Sequence, residues 1–386
     1  MKRRQYLFCP GPVHVARNVK QAAHYEMCHR EREFSTLLKQ LNENVLSLFE
    51  IKHKELYYPV IITGSSTAAN EAVISSIAGK KDVLIITNGE FGDRLFKITK
   101  IHSKKTHLLD FGWTNKISLR KVEDYVKKHN IKVIAMAHHE TSTGLLNPIE
   151  EIGRIAHKHG ATYFVDAVSS VGADAIDIEK SHITFCTTSS GKAVGSFPGT
   201  SIVLGKIADF EKLAKHTPRT TYLNLYNFYR FSFDRLQTPN TPNVPGFRSL
   251  NQAIKNILKE GSAKRRAKIH SYAQTIRRTL EKLDLEFCID EELMSNSLTT
   301  VYVPDHMTVE DIQGQLRARK IIIYSAKGPL MDKAFQVANI GDITKEDVQY
   351  VVKALKDVLK PQKSFDQPTL MPQFGSFESE SMAQYA

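Results

Sequence analysis

Between Tyr57 and Asp166, short apolar runs alternate with stretches of helical period, and this alternation limits the chain more than any other feature. Tyr57 to Ile62, Asp82 to Thr87, Val133 to Ala137 and Tyr163 to Val165 read as strands. Helices are expected up to Ile77, after Asn88–Arg94, and from Pro148 to His159. Such a pattern predicts an α/β domain with a mostly parallel sheet. In such sheets ligands bind beyond the carboxyl ends of the strands. Those ends carry the least ordinary residues of the chain.

The stretch His182–Val203 is the most telling of these places. A β-rich run, Ile183 to Thr188, leads through small residues to Lys192, then through a Gly/Pro loop into the apolar run Thr200–Leu204. An ammonium held between buried strands is costly. It makes sense if the amine is bound to a carbonyl cofactor as a Schiff base; otherwise Lys192 sits on an exposed turn. Upstream, Gly64-Ser65-Ser66-Thr67 lies between a strand and a helix, where backbone amides, hydroxyls and the helix dipole suit an anion. An ordinary N-cap would use the same residues. Asp166 ends a buried strand and needs a cationic partner, unless it caps the next turn. Phe91 could stack on a flat ring or simply fill core.

Composition narrows the field. The 386 residues are 41% hydrophobic, enough for a full core and two domains. Net charge is +12, which suits small anions or nucleic acid. The basic residues are dispersed, however, and the cluster Lys264–Lys268 lies in a helical pattern without a nucleic-acid motif. Cys9, Cys28, Cys186 and Cys288 form no CxxC pair, so a cytoplasmic setting is expected. The apolar run before Pro10 is too short for a signal peptide, and no segment has the roughly 20 apolar residues of a membrane span.

The expected organisation is an extended arm over 1–12, a large domain over 13–250, a smaller α+β domain over 251–360 and a disordered tail over 361–386. Within it, residues 33–49 carry apolar side chains at helical spacing, from Phe34 to Leu48. Gln237–Pro245 is expected to be an extended loop. A long helix interrupted near Gly261 is expected from about Arg248 to Leu283. Strands are expected at Glu286–Ile289, Leu298–Val303, Ile321–Tyr324 and Phe335–Asn339. Helices are expected at Val309–Arg319 and Thr344–Leu359.

The order of the groups is more specific than any one of them: anion loop, aromatic loop, hydroxyl loop at Thr141, aspartate, then lysine 192 − 166 = 26 residues later. In this order the chain resembles the class V, fold-type I, pyridoxal-phosphate aminotransferases. Within them it is most similar to the 2-aminoethylphosphonate–pyruvate transaminases. Pro10-Gly-Pro-Val13, Cys28–Phe34, Thr63–Ala72, Asn88–Arg94, His139–Pro148, Val165–Ser170, Ser190-Gly-Lys192 and Asn339–Asp342 carry the likeness, which extends over roughly residues 6–358.

The resemblance implies a central sheet with helices on both faces and a bound pyridoxal 5'-phosphate. Lys192 would hold the cofactor covalently and shuttle protons. Asp166 would face the pyridine nitrogen, Phe91 stack on the ring, Thr141 bond its hydroxyl and Val168 pack against it. Ser65, Ser66 and Thr67 would hold the phosphate. Thr238 and Thr241, in a Thr/Pro loop, would reach the phosphate of a second subunit, which implies a homodimer. The implied activity moves an amino group from a small amine or amino acid, resembling 2-aminoethylphosphonate, to a keto acid such as pyruvate, in phosphonate metabolism.

Two positions depart from the family. Gly191 stands where many relatives have Gln or Asn. Gln336 stands where they have an arginine that binds the substrate's acid group. A neutral amide cannot replace a guanidinium clamp. Arg30, Arg32, Arg94 or Lys327 could supply the charge instead. A pyridoxal-phosphate lyase on the same scaffold is the alternative; Cys288, in a strand-like run, does not suit a desulfurase. A catalytically silent binding protein with a basic surface is the third reading.

Overall fold

The structure, a computed structural model, describes residues 5–360. The tail expected from 361 onward and the first four residues of the arm lie outside them. Seven strands form the central sheet, in the order Tyr57–Thr63, Thr200–Lys206, Phe185–Ser189, Thr162–Asp166, Val133–Ala137, Val83–Thr87 and Thr106–Asp110. Only Thr200–Lys206 runs against its neighbours; the other pairings are parallel. The inner strands Val83–Thr87 and Val133–Ala137 are buried at every residue, which is why they read as continuous apolar runs.

Helices cover both faces. Arg32–Leu48, Leu119–His129, Ile149–Lys158 and Val244–Glu260 pack on one, in a core that includes Leu41, Ile134 and Phe247. Ser66–Ile77, Glu90–His102 and Leu225–Arg235 pack on the other, around Val73, Ile85 and Tyr229. This is the α/β class expected from the alternation. No helix among the described residues is long and apolar enough to cross a membrane.

A smaller α+β region has its own core. Leu298–Tyr302, Ala334–Ala338 and Tyr324–Ser325 form an antiparallel sheet against the helices Ser262–Glu281, Val309–Ala318 and Lys345–Leu359. Sequence-distant pairing ties the N-terminal arm to this region. Tyr6–Leu7 pairs in parallel with Ile321–Ile322, the Phe8 ring is buried in its core, and the Ala338 amide donates to the Phe8 carbonyl at 2.8 Å.

Several elements differ from expectation. Thr106–Asp110 forms the edge strand, although its half-exposed Thr-His-Leu-Leu-Asp hides the pattern of a strand. The helix Leu225–Arg235, capped by Asn224, is not anticipated at all. The loop before the long helix ends early: Asn243 accepts from the Gly246 amide, and the helix begins at Val244 with Pro245 in its first turn, where no amide is needed. Gly261, at φ +89°, then divides Val244–Glu260 from Ser262–Glu281. Glu286–Ile289 is not a strand and makes only an isolated bridge, Phe287 to Val301.

Packing of Ile149–Lys158 depends on one glycine. A Cβ on Gly153 would lie 1.8 Å from the Ser181 carbonyl oxygen, a backbone atom that cannot swing aside. In contrast, a Cβ on Gly314, within Val309–Ala318, meets nothing within 4 Å. Gly153→Ala should therefore destabilise by at least about 1–3 kcal/mol, and Gly314→Ala should stabilise by about 0.5–1 kcal/mol. Thermal melts of the two variants beside the parent protein should shift in opposite directions.

Candidate active site

The carboxyl ends of the parallel strands bring the expected residues to one edge. The Tyr57–Thr63 strand turns at Gly64 into the helix Ser66–Ile77. Gly64 has φ +152°, and a Cβ there would lie 2.8 Å from the Ala68 Cβ, so the loop approaches its helix closely. Ser65 stands at the N-cap but makes no side-chain capping bond. Its hydroxyl, with Ser66 and Thr67 beside it, lies at the positive end of a twelve-residue helix.

Asp166 is buried at the end of its strand. Its Oδ2 accepts from Asn70 Nδ2 at 2.6 Å and its Oδ1 from the Val168 amide at 3.0 Å. Asn70 Oδ1 in turn accepts from the Thr187 hydroxyl at 2.6 Å. Burial pushes the Asp166 carboxyl up, while these donors and the charges of Arg94 and Lys192 pull it down. Asn70 and Thr187 escaped sequence reasoning. Asn70 lies on the first turns of the helix after the anion loop, four positions from Ser66.

Lys192 follows the strand Phe185–Ser189 and is half-buried. Burial pushes its amine down to about 8; the nearby charges of Lys327 and Arg94 act the same way, and Cys9 and Asp166 oppose them. The arm crosses directly beside it. A Cβ on Gly11, at φ +153°, would lie 3.1 Å from the lysine Nζ. Tyr324 Oη donates to the Gly11 carbonyl at 3.2 Å and holds that segment in place. The turn itself is braced by Ser190, whose hydroxyl donates to the Phe197 and Thr200 carbonyls at 2.5 and 2.9 Å. A Cβ on Gly191 would lie 3.0 Å from Pro198 Cγ and 3.1 Å from its Cα. The Phe197–Pro198 loop thus occupies the space that a longer residue before the lysine needs.

Phe91 is half-buried at the start of the helix Glu90–His102. Glu140, fully buried, accepts the Phe91 amide at 3.0 Å, the Gly92 amide at 2.6 Å and the Ser142 hydroxyl at 3.1 Å. Burial raises this carboxyl to about 7. Arg94 lies over the Phe91 ring, with Cζ 4.9 Å from the centroid, and Lys327 Nζ is 5.5 Å away. His138 and His139 are buried beside this loop, and burial holds both rings near 3, hence neutral. His139 Nδ1 lies 3.3 Å from the Ser169 carbonyl, which requires that nitrogen to carry the proton; its buried Nε2 has no protein partner among the described residues.

Thr141 is buried, and its carbonyl accepts from Gln336 Nε2 at 2.8 Å. The same amide nitrogen approaches the Ser142 carbonyl at 3.1 Å and Thr300 Oγ1 at 3.2 Å. Gln336 therefore braces the small sheet against the Thr141 loop. Val168 packs beside Asp166 and is buried. Thr238 and Thr241 lie on the loop before the helix Val244–Glu260, where the Asn243 amide donates to the Thr63 hydroxyl at 2.9 Å. The Thr238 hydroxyl bonds within its own loop, to the Asn240 carbonyl at 2.8 Å, and Thr241 is exposed. Among the described residues, no hydrogen bond joins either threonine to Lys192, Asp166 or Ser65–Thr67. Nor does any group of described side chains suit a metal ion.

The chain as a whole is similar to known proteins. The model of the class V aminotransferase family matches residues 13–334. An uncharacterised aminotransferase of Methanocaldococcus jannaschii is 30% identical over 362 residues, covering 92% of this chain and 93% of that one. The 2-aminoethylphosphonate–pyruvate transaminase of Salmonella agona is 31% identical over 373 residues, covering 93% and 99%. Among solved structures, alanine–glyoxylate aminotransferase from Nostoc sp. superposes with a TM-score of 0.87 at 25% identity, over 93% of this chain and 96% of that one. The chain belongs to the class V aminotransferase family.

Proposed function

We propose that this protein is a pyridoxal 5'-phosphate-dependent aminotransferase that moves an amino group from a small acid-bearing amine, similar to 2-aminoethylphosphonate, to a keto acid such as pyruvate. The observation that carries this reading is the pairing of a half-buried lysine amine, lowered to about 8, with a buried carboxylate held only by neutral hydrogen-bond donors. When bound, the cofactor supplies an aldehyde for covalent attachment and a ring that accepts electrons.

The residues fit that group. The Asp166 carboxylate is buried, and a cationic ring nitrogen against it would offset the cost of its burial. Asn70 and the Val168 amide aim the carboxylate while leaving it ionisable. Ser65, Ser66 and Thr67 offer hydroxyls and a helix N-terminus to a phosphate. Phe91 offers a ring face, Thr141 a hydroxyl and Val168 an apolar wall. Lys192 would hold the cofactor and, once freed, its amine would serve as the base that moves a proton at the substrate α-carbon. A depressed amine suits that task, because a larger share of it is neutral at neutral pH than of an ordinary lysine.

The proposal includes a homodimer. Among the described residues, Thr238 and Thr241 make no hydrogen bond to Lys192, Asp166 or Ser65–Thr67 of their own chain, and a second copy would bring them to the phosphate. It also includes a cytoplasmic home, which suits four cysteines that are all unpaired. Burial drives the Cys288 thiol up to about 12, so it is a poor nucleophile for a desulfurase-type reaction.

The purified protein should carry a visible absorbance band, and borohydride should leave a reduced adduct on Lys192. Lys192→Ala should lose both, with turnover falling at least about 100-fold. Release of a keto or aldehyde product should depend stoichiometrically on an added keto acid; product formed without one would favour a lyase. A pH series tests the lysine directly. The neutral amine is the nucleophile, so capture of pyridoxal phosphate by the cofactor-free protein should speed up as pH climbs through about 8 and level off above it. Stopped-flow absorbance reads that profile; a flat response from pH 6 to 10 contradicts it.

A further inference from the structure

We infer that Arg94 and Lys327 together bind the substrate's acid group, replacing the charge missing at position 336. This inference rests on the transaminase reading and names the substrate class it takes: an amine whose distal group is a phosphonate-like dianion.

Gln336 cannot do this work itself. Its side chain is buried and neutral, and its amide nitrogen is committed to the Thr141 and Ser142 carbonyls and the Thr300 hydroxyl. The cation has moved to the neighbouring loop. In the small sheet Tyr324 pairs with Gln336, and three residues past Tyr324 the chain delivers Lys327. That ammonium and the Arg94 guanidinium, which come from different domains, meet at the Phe91 ring. Both raise the electrostatic potential at the Lys192 amine.

The four candidate cations are separable in the structure. Arg30 is exposed and tied to another loop, donating to the Thr238 carbonyl at 3.1 Å. Arg32 is exposed at the start of the helix Arg32–Leu48. Arg94 pairs with Glu90 at 3.1 Å, but that pair is partly exposed and therefore weak. Among the described residues, Lys327 makes no ion pair. Two cations, Arg94 and Lys327, thus meet at the Phe91 ring, while the buried Glu140 beneath that loop is held by backbone amides and a hydroxyl and not by either cation. A pair of cations favours a ligand carrying more than one negative charge.

Lys327 is also held in place. A Cβ on Gly328, at φ +52°, would lie 2.4 Å from the ring of Trp113, so that ring rests against the backbone next to the lysine. Trp113 is the one tryptophan in the chain, and its emission therefore reports on this loop.

The experiment uses the holoenzyme with ethylphosphonate, a dianion without an amine, and propionate as probes. Calorimetry and Trp113 emission give binding; steady-state kinetics with 2-aminoethylphosphonate give KM and kcat. Lys327→Gln and Arg94→Gln should each weaken ethylphosphonate at least about tenfold and raise KM by a similar factor. Lys327→Arg should retain most of the binding, and ethylphosphonate should bind the parent more tightly than propionate. Arg120→Gln, exposed on the helix Leu119–His129, is the control and should change nothing. The cofactor absorbance band certifies that each variant is folded. The inference is overturned if the glutamine variants bind ethylphosphonate as the parent does, or if the parent does not bind it. Failure of every amine to convert the cofactor to its amino form would instead overturn the transaminase reading.

Discussion

The structure depends on keeping an amine in a place where water is scarce. Desolvation disfavours the charged form of a lysine, and here it moves the Lys192 amine to about 8. Three parts of the chain, far apart in sequence, make that enclosure. The turn after Phe185–Ser189 supplies the lysine and is braced by Ser190. The arm lays Gly11 against the amine. The loop after Tyr324 brings Lys327 close enough to be felt there. The arm is paired with Ile321–Ile322 and bonded through Phe8 to Ala338 of the small sheet, so the smaller α+β region positions two of the three. The contact between the two sheets is therefore part of the chemistry of the lysine, and loosening it would rehydrate the amine.

Three carboxylates are buried nearby, and the chain treats each differently. Glu140 receives two helix N-terminal amides and a hydroxyl, a set that anchors the Phe91 loop. Asp174 accepts from the Ser295 hydroxyl and the Asn296 amide, which ties the large sheet's loops to the small region; burial holds it near 6. Both are saturated by neutral donors and serve as joints. Asp166 also has neutral donors, yet it alone lies at a strand's carboxyl end among the charges of Arg94 and Lys192. Position relative to the strand ends separates the chemical carboxylate from the structural ones.

Much of this was legible in the sequence, for reasons that can be named. The inner strands are buried on both faces, so they appear as unbroken apolar runs, and their ends fix where Ser65, Phe91, Thr141, Asp166 and Lys192 must gather. Elements without that burial were hidden. Thr106–Asp110 has one covered side and a polar composition, and it gave no signal. The arm's pairing links residues more than 300 positions apart, which no local pattern encodes. Glu140 lay inside a motif that was quoted, but its task depends on a loop 49 residues away. The domain assignment of the arm and the ranking of the four cations are likewise properties of the folded chain.

The two departures from the family become consistent once packing is considered. Gly191 is small because Pro198 fills the adjacent space, and the loop carrying Pro198 is fastened by the hydroxyl that braces the lysine turn. At position 336 the alternatives are electrostatic. A guanidinium there would add a further cation to a half-buried region that already holds Arg94 and Lys327, and mutual repulsion in a poorly hydrated space is strong. A glutamine removes that repulsion and gains a neutral brace to Thr141 and Ser142. Lys327 in turn offers several donors on a long stem, its neighbouring backbone packed against Trp113, and makes no ion pair among the described residues. Moving the positive charge from the rigid strand to a loop beside it keeps the field that an anion feels while freeing the strand residue to hold the two sheets together.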